Sequence, residues 1–70
     1  MSQVQADFSI ALIQLKKGEQ VAREGWGTTQ HLEIHETSEG AYIALCVGDR
    51  VFDWLPGETD LLAIDWVQLP

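Results

Sequence analysis

The sequence has one cysteine, Cys46, and two histidines, His31 and His35. An intrachain disulfide is therefore excluded, and a closed Cys/His zinc site lacks ligands. Basic residues are also few: Lys16, Lys17, Arg23 and Arg50 stand against 11 acidic residues, a formal net charge of −7. Binding along a phosphate backbone is driven largely by Lys and Arg displacing counterions, so a polymeric nucleic acid is not an expected partner. The same charge disfavours an anionic membrane and favours solubility. One small anionic ligand remains compatible, because a pocket needs only one or two cations and some backbone N–H groups. No apolar run approaches membrane-spanning length. The polar start, Met1–Asp7, lacks the basic and apolar regions of a signal peptide. The expected location is the cytoplasm, which suits an unpaired cysteine.

Catalytic patterns are missing as well. Ser2, Ser9 and Ser38 fall in a tail, a helix and a turn, and neither histidine stands in a suggestive context. There is no P-loop and no dinucleotide-binding glycine pattern. The expectation is a protein that is not an enzyme and uses no cofactor. No linker, repeat or low-complexity segment divides the chain, so residues 1–70 are read as a single domain. A domain this short buries only about 60% of its unfolded-chain surface. Small domains compensate with disulfides, a metal or self-association. With the first two disfavoured, a homo-oligomer is expected.

The first element present is a helix. Phe8, Ala11, Leu12 and Leu15 mark one face of a 3.6-residue period. Asp7 stands at the N-cap, Lys16 and Lys17 fill the last turn, and Gly18 follows as the stop. Short strands come next. Val21–Arg23 is a first strand, ended by Gly25-Trp26-Gly27. His31–Glu36 alternates, with Leu32 and Ile34 on one face and His31, Glu33 and His35 on the other. Thr37–Gly40 reads as a turn, Ala41–Val47 as an apolar strand, and Gly48-Asp49 as a tight turn into Arg50–Trp54. Such short connections predict an antiparallel meander. Leu55-Pro56 stops it, Gly57–Ala63 forms one or two helical turns, and Asp65–Gln68 makes the last strand. The predicted fold is α+β: an N-terminal helix packed on a small antiparallel sheet of about five strands, with a short helical turn before the last strand.

Three tryptophans are a large share of a chain this size. Trp66 lies within a strand pattern and is expected in the core. Trp26 and Trp54 sit at strand-to-loop junctions, where an indole serves either as a packing anchor or as a stacking platform for a nucleobase. Arg23, three residues before Trp26, offers a planar fork for phosphate, or an ion-pair partner for the abundant carboxylates. Asp60 follows a potential cap at Gly57 by three residues, so it either caps the short helix or accepts from a ribose hydroxyl or base edge. His31, Glu33 and His35 share a strand face, but Cβ atoms two positions apart lie about 7 Å from one another. A solvated outer face is preferred there over a metal site. Cys46 is expected to be a small buried hydrophobe.

The segment Asp7–Trp26, DFSIALIQLKKGEQVAREGW, resembles the N-terminal signature of the Thoeris anti-defense 2-like family, which is associated with phages. Its second signature appears as Trp54-Leu55-Pro56 followed by Asp60-Leu61-Leu62-Ala63-Ile64-Asp65-Trp66. The two blocks cover about half of the chain. The resemblance implies an α+β homo-oligomer, a dimer or tetramer. It also implies a molecular sponge, sequestering a cyclic nucleotide immune signal of the cyclic ADP-ribose or cyclic oligonucleotide type in an infected or lysogenic bacterial host. Arg23, Trp26, Trp54 and Asp60 are the ligand-binding candidates that it carries over. Two departures stand out: only 27 residues separate Trp26 from Trp54, and Gly57 occupies a cap position where serine is common. The competing expectation is a phage or prophage accessory module that binds a host protein through the same tryptophan-rich surface.

Overall fold

The computed structural model describes residues 6–27 and 29–69. Met1–Gln5 (with Ser2 and most of the polar start), Thr28 and Pro70 lie outside the described residues. Helix α1 spans Phe8–Lys16, and strand β1 spans Val21–Arg23, followed by a single 3-10 turn at Glu24–Trp26. Strands β2 (Gln30–Thr37), β3 (Gly40–Val47) and β4 (Arg50–Asp53) come next. A one-turn helix α2, Glu58–Leu62, precedes β5, Trp66–Gln68. The α+β architecture is the one the sequence predicts.

Local signals set the helix. The Asp7 carboxylate accepts the Ile10 N–H at 3.2 Å and the Ser9 hydroxyl at 2.6 Å, closing the N-terminal turn. At the other end Gly18 adopts φ +90°. The N–H of Gly18 bonds Leu15 O and that of Glu19 bonds Gln14 O, each at 3.0 Å. This paired reverse bond satisfies two terminal carbonyls and needs a left-handed residue, which glycine adopts without a Cβ penalty.

The five strands pair antiparallel throughout, in the order β4-β3-β2-β1-β5. Strands β1 to β4 are the predicted meander. Strand β5 instead returns across the sheet and pairs with β1, placing Trp66 opposite Arg23. The register puts Val21, Leu32, Leu45 and Phe52 in one row, and successive residues alternate faces. Ala11, Leu15, Val21, Leu32 and Trp66 form the buried centre between α1 and this face. Phe8, Leu12, Trp26, Ile34, Ile43, Leu45 and Trp54 pack around it. Leu15, Val21 and Leu32, wholly buried there, each contribute about 1.5–3 kcal/mol.

Cys46 is buried as expected, but not in that core. It pairs with His31 while Leu45 pairs with Leu32, so alternation turns Cys46 to the face opposite α1. No helix among the described residues is long and apolar enough to cross a membrane.

Candidate functional site

The β1–β5 pair organises the candidate residues around Trp66. This side chain, only 1% exposed, donates its indole N–H to the Asp60 carbonyl at 3.1 Å. Trp26 meets it edge to face at a centroid distance of 5.5 Å, and Trp54 does so at 5.9 Å. Phe8 contributes from α1, lying 5.3 Å from Trp66 and 5.4 Å from Trp54. The 3-10 turn carries Trp26 out of β1, and Trp54 leaves β4 with its N–H bonded to Ile43 O at 3.1 Å. Both remain half-buried. Tilted and edge-to-face pairs match the ring quadrupoles, so the cluster is held by more than its buried area.

Arg23 lies at the same end of the sheet. Its Nε–H donates to Asp65 Oδ1 at 2.9 Å and its Nη1 donates to Asp60 Oδ1 at 3.1 Å. The two carboxylates raise the pKa of the guanidinium, Asp65 more than Asp60, and fix its plane. Asp60 also receives the Gly57 N–H on Oδ2 at 3.4 Å. It therefore caps α2 as expected and pairs with Arg23 at once. Gly57 has no hydroxyl to return a bond to Asp60, so only half of a capping box exists here.

The family model of the Thoeris anti-defense 2-like domain matches residues 6–69. The chain belongs to that family. No curated protein matches it. Membership supports a role in countering Thoeris defence.

Within this Thoeris anti-defense 2-like domain, Arg23 and Asp60 are in direct contact, and Trp26 and Trp54 each pack on Trp66. Sequence reasoning missed Asp65 as the second anchor of Arg23, and Trp66 as the hub that joins all four candidates. The signal for both was the Asp65-Trp66 dipeptide, but reading it required knowing that β5 pairs with β1. Among the described residues, one chain encloses no pocket at this end. Exposed Leu55, Leu61, Leu62 and Ile64 belong to α2 and its flanks.

A second cluster occupies the opposite sheet face. Glu33 receives Gln20 Nε2 at 3.0 Å, and it shares hydrogen bonds with His31 Nε2 at 3.0 Å and with His35 Nε2. His35 first, then His31, hold the Glu33 carboxyl below its ordinary range. Burial, and then Glu33, push the Cys46 thiol up. This face was expected to be solvated. Instead His31, Glu33 and His35 are half-buried and tied to one another, and Tyr42 packs on His35 at a ring distance of 5.7 Å.

Proposed function

We infer that this domain is a non-catalytic sponge that sequesters a cyclic nucleotide immune signal, of the cyclic ADP-ribose or cyclic oligonucleotide type. Its setting is the cytoplasm of an infected or lysogenic bacterial host. The observation that carries this reading is the juxtaposition of a positioned guanidinium with two half-buried indoles at one end of the sheet. Arg23 spends Nε–H and one Nη1–H on Asp65 and Asp60. The other Nη1–H and both Nη2–H groups are left for a phosphate, among the described residues. Trp26 and Trp54 offer partly open rings, and stacking on a base is worth ~1–3 kcal/mol per base. Asp60 is the acceptor for a ribose hydroxyl.

Ligand sites are concave and bury most of the guest. The described residues of one chain make no such hollow, so the walls are completed by a second copy in a dimer or tetramer. Leu55, Leu62 and Ile64, exposed to 87%, 79% and 63%, supply apolar surface for that contact. A thermal-shift screen with cyclic ADP-ribose isomers and cyclic di- and trinucleotides tests the proposal. Stabilisation by one of them, with intact ligand recovered after heating, is the expected result. Time-dependent loss of the ligand would mean an enzyme instead.

The same exposed leucines and isoleucine favour one other reading, a module that binds a host protein. A pull-down that retains a defined host protein, with no nucleotide among the small molecules extracted from the domain, selects it.

A further inference from the structure

The face of the sheet opposite α1 brings together a nitrogen, an oxygen and a sulfur donor that no part of the proposed capture site uses. His31 of β2 and Cys46 of β3 are direct cross-strand partners. Glu33 lies two residues along β2 on the same face. The ligating atoms of His31, Glu33 and Cys46 all lie within 4.8 Å of one another.

Those separations are close to what coordination requires. With Zn–N, Zn–O and Zn–S bonds of about 2.0–2.3 Å, tetrahedral ligand atoms sit roughly 3.3–3.6 Å apart. His31 Nε2 and Glu33 Oε1 are already 3.0 Å apart. Drawing in the Cys46 sulfur takes about 1.5 Å of side-chain adjustment at most, from a separation within 4.8 Å. Judged on β2 alone, the site looked too wide, because side chains two positions apart on a strand diverge. Pairing with β3 supplies the missing third donor at short range.

We propose that His31, Glu33 and Cys46 form a transition-metal site that takes Zn²⁺ in preference to Mg²⁺ and Ca²⁺, with its fourth position open to water. The mixed imidazole, thiolate and carboxylate set suits zinc and disfavours Mg²⁺ and Ca²⁺, which take oxygen ligands. His35 is a positioning residue. Its Nε2 shares a hydrogen bond with Glu33 Oε2, which turns Oε1, the oxygen beside His31 Nε2 that also accepts from Gln20 Nε2, toward the metal, as outer-shell partners of ligating carboxylates do. The bound ion clamps β2 to β3 and gives a domain with one cysteine the cross-link that a disulfide cannot supply.

Titration of the reduced, metal-free protein with Co²⁺ tests the site directly. The expected result is one Co²⁺ per chain, visible d–d bands of tetrahedral strength and a thiolate-to-cobalt charge-transfer band. Zn²⁺ displaces the cobalt and raises Tm, and Mg²⁺ does neither. Cys46→Ala removes the charge-transfer band, and His31→Gln weakens Co²⁺ binding by more than roughly 100-fold, while His35→Gln weakens it by about 10–100-fold with the band retained. Circular dichroism of each metal-free variant establishes that it is folded. If Cys46→Ala does not fold, the wild-type charge-transfer band and His31→Gln decide the question. Absence of the band in the wild-type protein, or Co²⁺ affinity unchanged by His31→Gln, overturns the proposal. Neither outcome bears on nucleotide capture at the other face.

Discussion

Arg23 and Trp66 stand opposite each other across the β1–β5 pair, so the cation and the largest buried side chain share one end and one face of the sheet. Trp66 fills the space under α1, and Arg23 reaches past it to Asp60 and Asp65. The indole N–H of Trp66 and the guanidinium of Arg23 therefore both bind Asp60, one through its carbonyl and the other through its carboxylate. Core packing and the placement of α2 are coupled through this residue.

Trp66 and its two neighbours should separate by experiment. Trp66→Ala is expected to cost about 3–5 kcal/mol. A domain of this length has only ~4–10 kcal/mol in total, at 0.05–0.15 kcal/mol per residue, so most of its stability goes. Trp66→Phe keeps much of the apolar surface but removes the donor to Asp60 O, and its loss should be smaller. Trp26→Ala and Trp54→Ala, at half-buried positions, should stay folded and lose ligand binding. Urea denaturation followed by circular dichroism, beside a thermal-shift assay with ligand, checks the ranking.

The helix and the β2–β3–β4 meander were legible because their signals are local. Asp7, the Phe8–Leu15 stripe and Gly18 lie within one short segment, and Gly48-Asp49 joins two strands in tight register. The position of β5 was not legible. A three-residue strand carries no information about its partner, and the Arg23–Asp65 bond spans 42 residues of chain. The candidate site was visible as a set of residues, and its hub was not. Cys46 was seen to be buried, but its face depends on a register that alternation within β3 alone does not fix.

Arg23 should act through geometry as well as charge. Arg23→Lys keeps one positive charge but cannot reproduce the fork that engages Asp60 and Asp65 through separate nitrogens. Ligand binding is expected to fall nearly as far as in Arg23→Ala, while Tm falls less. Because all three partners are partly solvated, the Tm difference from Arg23→Ala should narrow as salt is raised. Thermal scans at low and high ionic strength, with and without ligand, measure both effects.

Asp7 gives the fold a defined acid sensitivity. Bonds from the Ser9 hydroxyl, and then from the Ile10 N–H, lower its pKa from the ordinary 3.8. A carboxyl whose folded pKa lies below its unfolded value contributes stability above the unfolded value. That contribution fades as pH falls through the folded one. Asp7→Asn retains a good N-cap without the charge. The stability gap between wild type and Asp7→Asn should therefore be constant near neutrality and close below pH 3.8. Urea midpoints collected across the acid range would show it, and a gap that persisted into strong acid would assign the cap's strength to geometry alone.

The apolar flank of α2 bears on how the proposed capture site would be closed. Leu62 and Ile64 are exposed to 79% and 63%, yet they bracket Ala63, which packs on the buried core. Their exposure is thus fixed by the anchoring of Ala63 and is not a sign of a loose segment. The double substitution Leu62→Ser, Ile64→Ser should leave the monomer fold intact, because neither side chain contributes to the core. If copies meet through this surface, sedimentation will show the oligomer dissociating, and ligand affinity will fall with it while Arg23, Trp26 and Trp54 are unchanged. An oligomer that survives would place the contact elsewhere. Loss of the oligomer with full retention of ligand would mean that one chain holds the guest alone, against the enclosure argument.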